Sequence, residues 1–470
     1  MLQKLNRETA GIKQNYPVKV LQFGDGNFMR GFTDWIIDIL NEKAAFNGAV
    51  QIIRPLRNTK EERKFEQDGL YHVAQRGLLN GKTISETRLI TCITGVINPY
   101  SDFALFLKSA ENPDLQFIVS NTTEAGITFS ANDKSIYSIP ESFPGKVTLL
   151  LHHRFNFFKK DSQQGLIFIP TELIEKNGDA LRAAILQYIA YWNLPDDFKD
   201  WIITNNTFCN TLVDRIVPGF PKDNETEIQK SIGYEDSQLV MVEPYYALII
   251  EAPEHVRKIF PTEQAGLNVK FVADITPYRI SKVRILNGAH TTLVPIAYLR
   301  GLRTVKESVD DSYISKFLHK VIHEEIIPTL DLPEKELKQF AADVIERFQN
   351  PFIRHELISI ALNSISKFKV RVLPTILEYE KRTGKLPERL LQSLAALIVF
   401  YKGIWNGAPI PLKDSPEVLT FFLETWEANS PEDVVQKILS NTSFWDCDLT
   451  KIKGLQELVT RKVKEIISSN

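Results

Sequence analysis

Cysteine is scarce in this 470-residue chain. Only Cys92, Cys209 and Cys447 occur, an odd number with no pair at ligand spacing, so neither a disulfide framework nor a cysteine-built zinc site is supported. Such usage fits a reducing compartment. Long apolar runs are missing too. Segments such as Leu394 to Tyr401 fall far short of the roughly 20 residues that span a bilayer. The opening Met1-Leu-Gln-Lys-Leu-Asn-Arg7 lacks the continuous apolar core of a signal peptide. Net charge is nearly absent, with 56 basic against 58 acidic residues, which argues against an electrostatic nucleic-acid binder. Internal repeats and low-complexity tracts are also lacking. The expectation is a soluble cytoplasmic protein with no nucleic-acid or membrane partner.

What is present describes an ordinary globular composition, 43% hydrophobic and 24% charged, in a chain long enough for two domains. Val18 to Phe23 reads as a buried strand running into Gly24-Asp-Gly-Asn-Phe-Met-Arg-Gly31. A helix follows, with Phe32, Trp35, Ile36, Ile39 and Leu40 on one face. Strand, glycine turn and amphipathic helix make the first half of a dinucleotide-binding unit, Gly24 allowing the tight turn and Gly26 the approach of a pyrophosphate. Met29 stands where a third glycine is usual, and Gly31 comes two positions late. The next strand, Ala49 to Ile53, ends in Arg54 rather than an acidic residue. Arg54 and Arg57 can accept a 2′-phosphate, so the residues alone leave NAD and NADP both open.

Further α/β alternation follows: strands at Arg88 to Val96, Leu115 to Ser120 and Gly165 to Pro170, and helices at Phe103 to Glu111, Lys146 to Phe158 and from Asn177 to about Trp192. The polar exit Asn121-Thr-Thr-Glu-Ala-Gly126 lies where open α/β sheets place ligands. His152 and His153 have no partner at ligand spacing and read as rim residues. Asp214 beside Arg215 reads as a structural ion pair, with a rim role as the alternative.

From about residue 280 amphipathic helices dominate, including Asp311 to Glu325, Glu334 to Arg347, Ile353 to Lys367 and Pro387 to Tyr401. The pattern divides the chain into an α/β domain over residues 1–279 and an all-α domain over 280–470. His319 and His323, at i and i+4, lack further ligands and read as a solvated face. At the junction stands Lys282-Val-Arg-Ile-Leu-Asn287-Gly-Ala-His290. At about 100° per residue, Asn287 and His290 lie about 60° apart and Lys282 about 80° from His290, within reach of one point. A partly desolvated lysine there has the lowered pKa that proton transfer near neutral pH needs. The plain alternative is a helix with three surface polar residues.

The glycine turn, the Lys282–Asn287–His290 spacing and a length near 470 together resemble the polyol-specific long-chain dehydrogenases, the mannitol dehydrogenase family. Supporting phrases run from Gln22-Phe-Gly-Asp-Gly-Asn-Phe-Met-Arg30 through Ser120-Asn-Thr-Thr-Glu-Ala-Gly-Ile127, Thr211-Leu-Val-Asp-Arg-Ile216 and Ile285-Leu-Asn-Gly-Ala-His-Thr291. To these add Glu324-Glu-Ile-Ile-Pro328, Arg347-Phe-Gln-Asn-Pro351 and Ile360-Ala-Leu-Asn363. The resemblance implies an N-terminal Rossmann-like NAD-binding domain, a mainly helical substrate domain and metal-independent hydride transfer. Lys282 would then be the proton donor and base, Asn287 and Asn177 the carbonyl partners, and His290 the orienting group. Val20, the run Phe23-Gly24-Asp25-Gly26-Asn27-Phe28, Arg30, Gly31 and the loop Asn121-Thr122-Thr123-Glu124 would hold NAD.

Two departures bear on substrate. Arg279 stands where polyol enzymes carry an acidic residue, and Ser359 where they carry an arginine. Both favour a sugar acid over a neutral polyol, since cations bind a carboxylate by charge-assisted hydrogen bonds. Arg279, Arg354, Lys367, Lys369 and Arg371 are the candidate cations, with Asp214 a further substrate candidate. The rival readings are another hexuronate or a polyol as substrate and, from a different class, a non-catalytic dinucleotide sensor.

Overall fold

The structure is a computed structural model that describes residues 2–57, 66–122, 126–222, 224–427 and 429–469. It resolves into two compact units, Met1–Arg76 with Thr83–Ile275, and Gly77–Lys82 with Thr276–Asn470. The division after Ile275 falls four residues before the 279/280 boundary read from the sequence.

The first unit is built on six parallel strands: β1 (Val18–Phe23), β2 (Ala49–Ile53), β3 (Ile93–Ile97), β4 (Phe117–Ser120), β5 (Ile167–Pro170) and β6 (Thr207–Phe208). Their spatial order is β3-β2-β1-β4-β5-β6, the doubly wound order with its switch point between β1 and β4. The central strands are buried on both faces, which is why they read as nearly unbroken apolar runs. Register aligns Phe23 with Ile53 and Ser120, and Ser120 with Pro170. These four residues form one row at the carboxyl edge, above which a crevice opens.

Two expectations here need correction. Arg88 to Val96 is not one strand: Lys82–Ile90 ends before β3 begins at Ile93. Its partner, Tyr71–Leu79, was not anticipated, although Asn80-Gly81 between them is a hairpin signal, and both take positive φ, 53° and 72°. The tip groups with the second unit, where the Asn80 and Gly81 N–H groups donate to the Glu346 carboxylate at 2.9 and 2.5 Å.

The second unit is a helical assembly around Glu388–Phe400. Beyond its first turn that helix is buried throughout, every residue from Ser393 to Phe400 lying inside, as expected of a central helix. It packs against Gly288–Leu299 and Leu455–Ser468. The buried Glu325 carboxylate caps its N-terminus, accepting from the N–H groups of Arg389 and Leu390 at 3.0 and 2.8 Å. The helix expected over Ile353 to Lys367 is instead two, Leu357–Ile360 and Ser364–Arg371, because Asn363 turns left-handed at φ 51°. Strand does not vanish entirely, since Ile404–Trp405 and Ala408–Pro409 form a short hairpin.

Candidate functional site

In the first unit the candidate region is the crevice above β1, β2 and β4. Gly24 takes φ 105°, which a side chain would strain, and its N–H donates to Ile53 O at 2.9 Å, tying the turn to the end of β2. Cβ atoms added at Gly24 or Gly26 would meet nothing within 4 Å. Open space above a glycine turn, at the start of the helix Asn27–Met29 that continues through Arg30–Asp34 to Lys43, fits a pyrophosphate.

Arg30 shapes this turn from within. Its guanidinium donates to Asp25 O, the Asn27 side chain and Gln238, at 3.0–3.2 Å. Arg30–Asp34 is a π-helical turn. A Cβ on Gly31 would lie 2.6 Å from Val242 Cγ1, so Gly31 supplies the close packing usually given by the third glycine. Met29 is instead buried in the core.

The wholly buried side chains of Val20 and Phe23 also belong to the core, Phe23 lying edge-on to Phe143. Neither side chain is therefore open to a cofactor. Asn121 Nδ2 donates to Thr171 O at 2.8 Å, and Thr122 donates to Glu172 Oε1 through its N–H and hydroxyl, at 2.9 and 3.1 Å. Oε2 of Glu172 is buried without a hydrogen-bond partner among the described residues, and burial raises this carboxyl's pKa. Thr123 and Glu124 lie outside the described residues.

Asn177 is fully buried and fully engaged. Nδ2 donates to the carbonyls of Pro170, Glu172 and Thr211 and to Thr211 Oγ1, while Oδ1 accepts from Thr211 N–H and Gly178 N–H. This amide has no capacity left for a substrate carbonyl; it fastens β5 to the strand Asn210–Asp214. Asp214, half-buried, ends that strand. Arg215 is not its ion partner: the guanidinium donates to Glu243 O and Gly31 O and lies over the Trp35 ring at 4.3 Å. Burial lowers its pKa to about 9, with Glu243 opposing.

In the second unit Lys282–Asn287 is itself a π-helical turn, inserted between Thr276–Ser281 and Gly288–Leu299. Gly288 N–H donates back to Val283 O, five residues away. In an ordinary α-helix residues five apart diverge by about 140°; the wider turn stacks them, so Lys282 and Asn287 share one face. Such turns concentrate at functional sites. A Cβ on Gly288 would sit 3.2 Å from Arg371 O, so glycine admits the helix Ser364–Arg371 closely here.

His290, two residues further on, stacks on Phe348 with centroids 4.1 Å apart and meets His355 edge-on at 5.2 Å. Its Nε2 is buried without a partner, and the half-buried Asn287 carboxamide makes no hydrogen bond among the described residues. Burial, then His355, Arg347 and Arg371, hold the His290 pKa well below its usual value, so the ring is neutral at pH 7.

The structure sorts the candidate cations. Arg354 is paired with Glu356 at 2.5 Å and Lys369 with Asp446 at 2.6 Å. Lys367 Nζ donates to Ile360 O at 2.8 Å, and Arg371 and burial lower its pKa, burial first. Arg371 is half-buried and has no carboxylate partner among the described residues. Arg279 is half-buried on the helix Thr276–Ser281. Arg347, buried and acting on His290, was not among the candidate cations; only its position within a family-like phrase signalled it.

The histidine pairs stay peripheral. His153 meets Glu111 at 2.9 Å, His152 packs on Phe198, and His319 stacks on His323. Among the described residues no three His, Cys, Asp or Glu side chains are grouped to hold a metal, and no helix is long and apolar enough to cross a membrane.

Comparison with known proteins finds two domain matches, the mannitol dehydrogenase Rossmann domain over residues 18–262 and the mannitol dehydrogenase C-terminal domain over 274–467. Among curated proteins, the altronate oxidoreductase of Yersinia enterocolitica is 44% identical over 474 residues, covering 100% of this chain and 98% of that protein. The Bacillus subtilis altronate oxidoreductase is 45% identical over 460 residues, 97% and 94% of the two chains. Among solved structures, a substrate-free D-sorbitol dehydrogenase superposes with TM-score 0.82 at 22% identity over 99% of both chains. A Pseudomonas fluorescens mannitol 2-dehydrogenase, in ternary complex with NAD and D-mannitol, gives 0.70 at 19% identity over 99% of this chain and 97% of that one.

Proposed function

The chain belongs to the mannitol dehydrogenase family, and from that premise we propose that it is an NAD-dependent altronate oxidoreductase, interconverting D-tagaturonate and D-altronate in cytoplasmic hexuronate catabolism. NAD, held over the Gly24–Gly26 turn, would supply or accept the hydride. The chain's own residues manage charge and proton. As negative charge builds on the carbonyl oxygen, the free Asn287 amide stabilises it. Lys282, stacked on the same face by the π-turn, delivers the proton in reduction and removes it in oxidation, with no metal required. His290, held neutral, presents one ring nitrogen to the same oxygen and orients it.

The observation that carries this reading is the pair of polar groups unengaged among the described residues, the Asn287 carboxamide and His290 Nε2, on the same continuous helix as Lys282 and with Arg347 and Arg371 acting on His290. Arg371 and Arg347 near His290 favour a sugar acid over a neutral polyol, because a substrate carboxylate supplies the counter-charge that Arg371 lacks. The test is initial-rate reduction of tagaturonate, fructuronate and fructose with NADH, with and without a chelator. The expected order places tagaturonate first, unaffected by chelation. Equal or faster turnover of fructose removes the sugar-acid assignment, and chelator sensitivity removes the metal-free mechanism. A lack of turnover on every substrate, with dinucleotide binding intact, favours a sensor.

A further inference from the structure

An acidic residue usually ends the second strand of a dinucleotide fold, where it receives the adenosine ribose hydroxyls. Here β2 ends in Arg54, which by charge alone would invite a 2′-phosphate. The structure fills that place differently. Asp25, in the glycine turn, lies over the end of β2 because Gly24 N–H is bonded to Ile53 O and Arg54 N–H to Ile97 O. There Asp25 Oδ2 accepts from Arg54 Nε at 2.8 Å, the arginine 15% exposed and the aspartate 38%. Asp25 Oδ1 makes no hydrogen bond among the described residues. A carboxylate oxygen is thus open at the tip of β2, its charge balanced and its position fixed by the guanidinium behind it.

We infer that Asp25, presented by the glycine turn and clamped by Arg54, is the residue that selects NAD over NADP. Its open oxygen accepts a hydrogen bond from the ribose 2′-hydroxyl. A 2′-phosphate at the same place meets a carboxylate, and the arginine that would otherwise bind it is already occupied by that carboxylate. Arg54 thereby acts as a positioning residue for an acid, although its sequence position suggests the opposite preference. The inference rests on the dinucleotide-binding part of the proposed function and is independent of the sugar substrate.

The test measures binding without chemistry, by titration calorimetry of the full-length chain with ADP-ribose and with 2′-phospho-ADP-ribose. Wild type is expected to prefer ADP-ribose at least tenfold. Asp25→Ser and the near-isosteric Asp25→Asn should reduce or invert that preference tenfold or more, through a gain for the phosphorylated probe. Arg54→Gln should weaken ADP-ribose several-fold without that gain. The ratio of kcat/KM for NADPH and NADH should move in parallel. If Asp25→Ser melts within a few degrees of wild type and keeps the wild-type preference, or if wild type prefers the phosphorylated probe, the inference is overturned. Binding of neither probe overturns it together with the dinucleotide reading. A tenfold preference in a chain that reduces no sugar acid upholds it and removes only the substrate assignment.

Discussion

Two asparagines separate the two units. Asn177, in the first, has its amide fully engaged by backbone groups and the Thr211 hydroxyl; Asn287, in the second, has a carboxamide with no hydrogen bond, and His290 an unpartnered Nε2, among the described residues. One amide is a fastener and the other a waiting hydrogen-bond donor. The same contrast runs through the arginines, since Arg30 is tied into the turn it supports while Arg371 has no carboxylate partner among the described residues. Polar side chains satisfied by the fold contribute to stability. Those left unsatisfied weaken it slightly and are available for a ligand.

That contrast can be broken most severely at the lysine. Lys282→Ala should lower kcat about 10²–10⁴-fold with little change in dinucleotide affinity, measured by steady-state rates and calorimetry. Asn287→Ala should cost about 10²–10³-fold in kcat and less than about 0.5 kcal/mol in unfolding free energy. Asn177→Ala should show the reverse emphasis. Removing its amide strands buried groups of Thr211, Gly178 and Pro170, and a loss of about 2–4 kcal/mol is expected by denaturant unfolding. A large kcat effect with unchanged stability at Asn177 would restore it to the catalytic set. Gly31→Ala should destabilise by about 1–3 kcal/mol through its clash with Val242.

A separate expected effect concerns pH, and its sign differs between the units. His290 titrates well below its usual value when folded. The unfolded chain therefore takes up the proton first, and this group makes stability fall as pH drops below about 6.5, by at most about 1.4 kcal/mol per pH unit. Asp34 is pushed the other way, to about 7, chiefly by burial and against hydrogen bonds from Tyr71 and Gln22. The folded state then holds the extra proton, and Asp34 makes stability fall as pH rises from about 4 to 7. His290→Asn and Asp34→Asn should each remove its own slope from the pH profile of unfolding free energy.

Much of this was legible in the chain. The strand, glycine turn and helix at Val18–Lys43 announced themselves by local pattern, and the residues of the proposed mechanism, Lys282, Asn287 and His290, stand out by type and spacing. What stayed hidden depends on tertiary partners or on a departure from ideal geometry. Reading 100° per residue through Lys282–Asn287 gives usable angles to His290 but misses the stacking of the first two residues. Nothing local distinguishes Asn177 from Asn287, since the difference lies in the Pro170 and Thr211 groups that reach only the former. The cations at 354, 367, 369 and 371 look alike in sequence and part company only when Glu356 and Asp446 claim two of them. Arg54 misleads because the acid beside it comes from a different segment, 29 residues earlier.

The widened turn at Lys282–Asn287 also gives this chain an unusual way to fail. Removing a single codon between the two residues would let the coil close into its ordinary pitch and leave them four apart, about 40° from each other and still on one face. Relaxing the turn at full length would instead swing the amine and the carboxamide about 140° apart. On the proposed mechanism, a descendant with the turn relaxed in that way would keep the family's architecture and its cofactor fold while losing the reaction, and a search by overall shape would not notice.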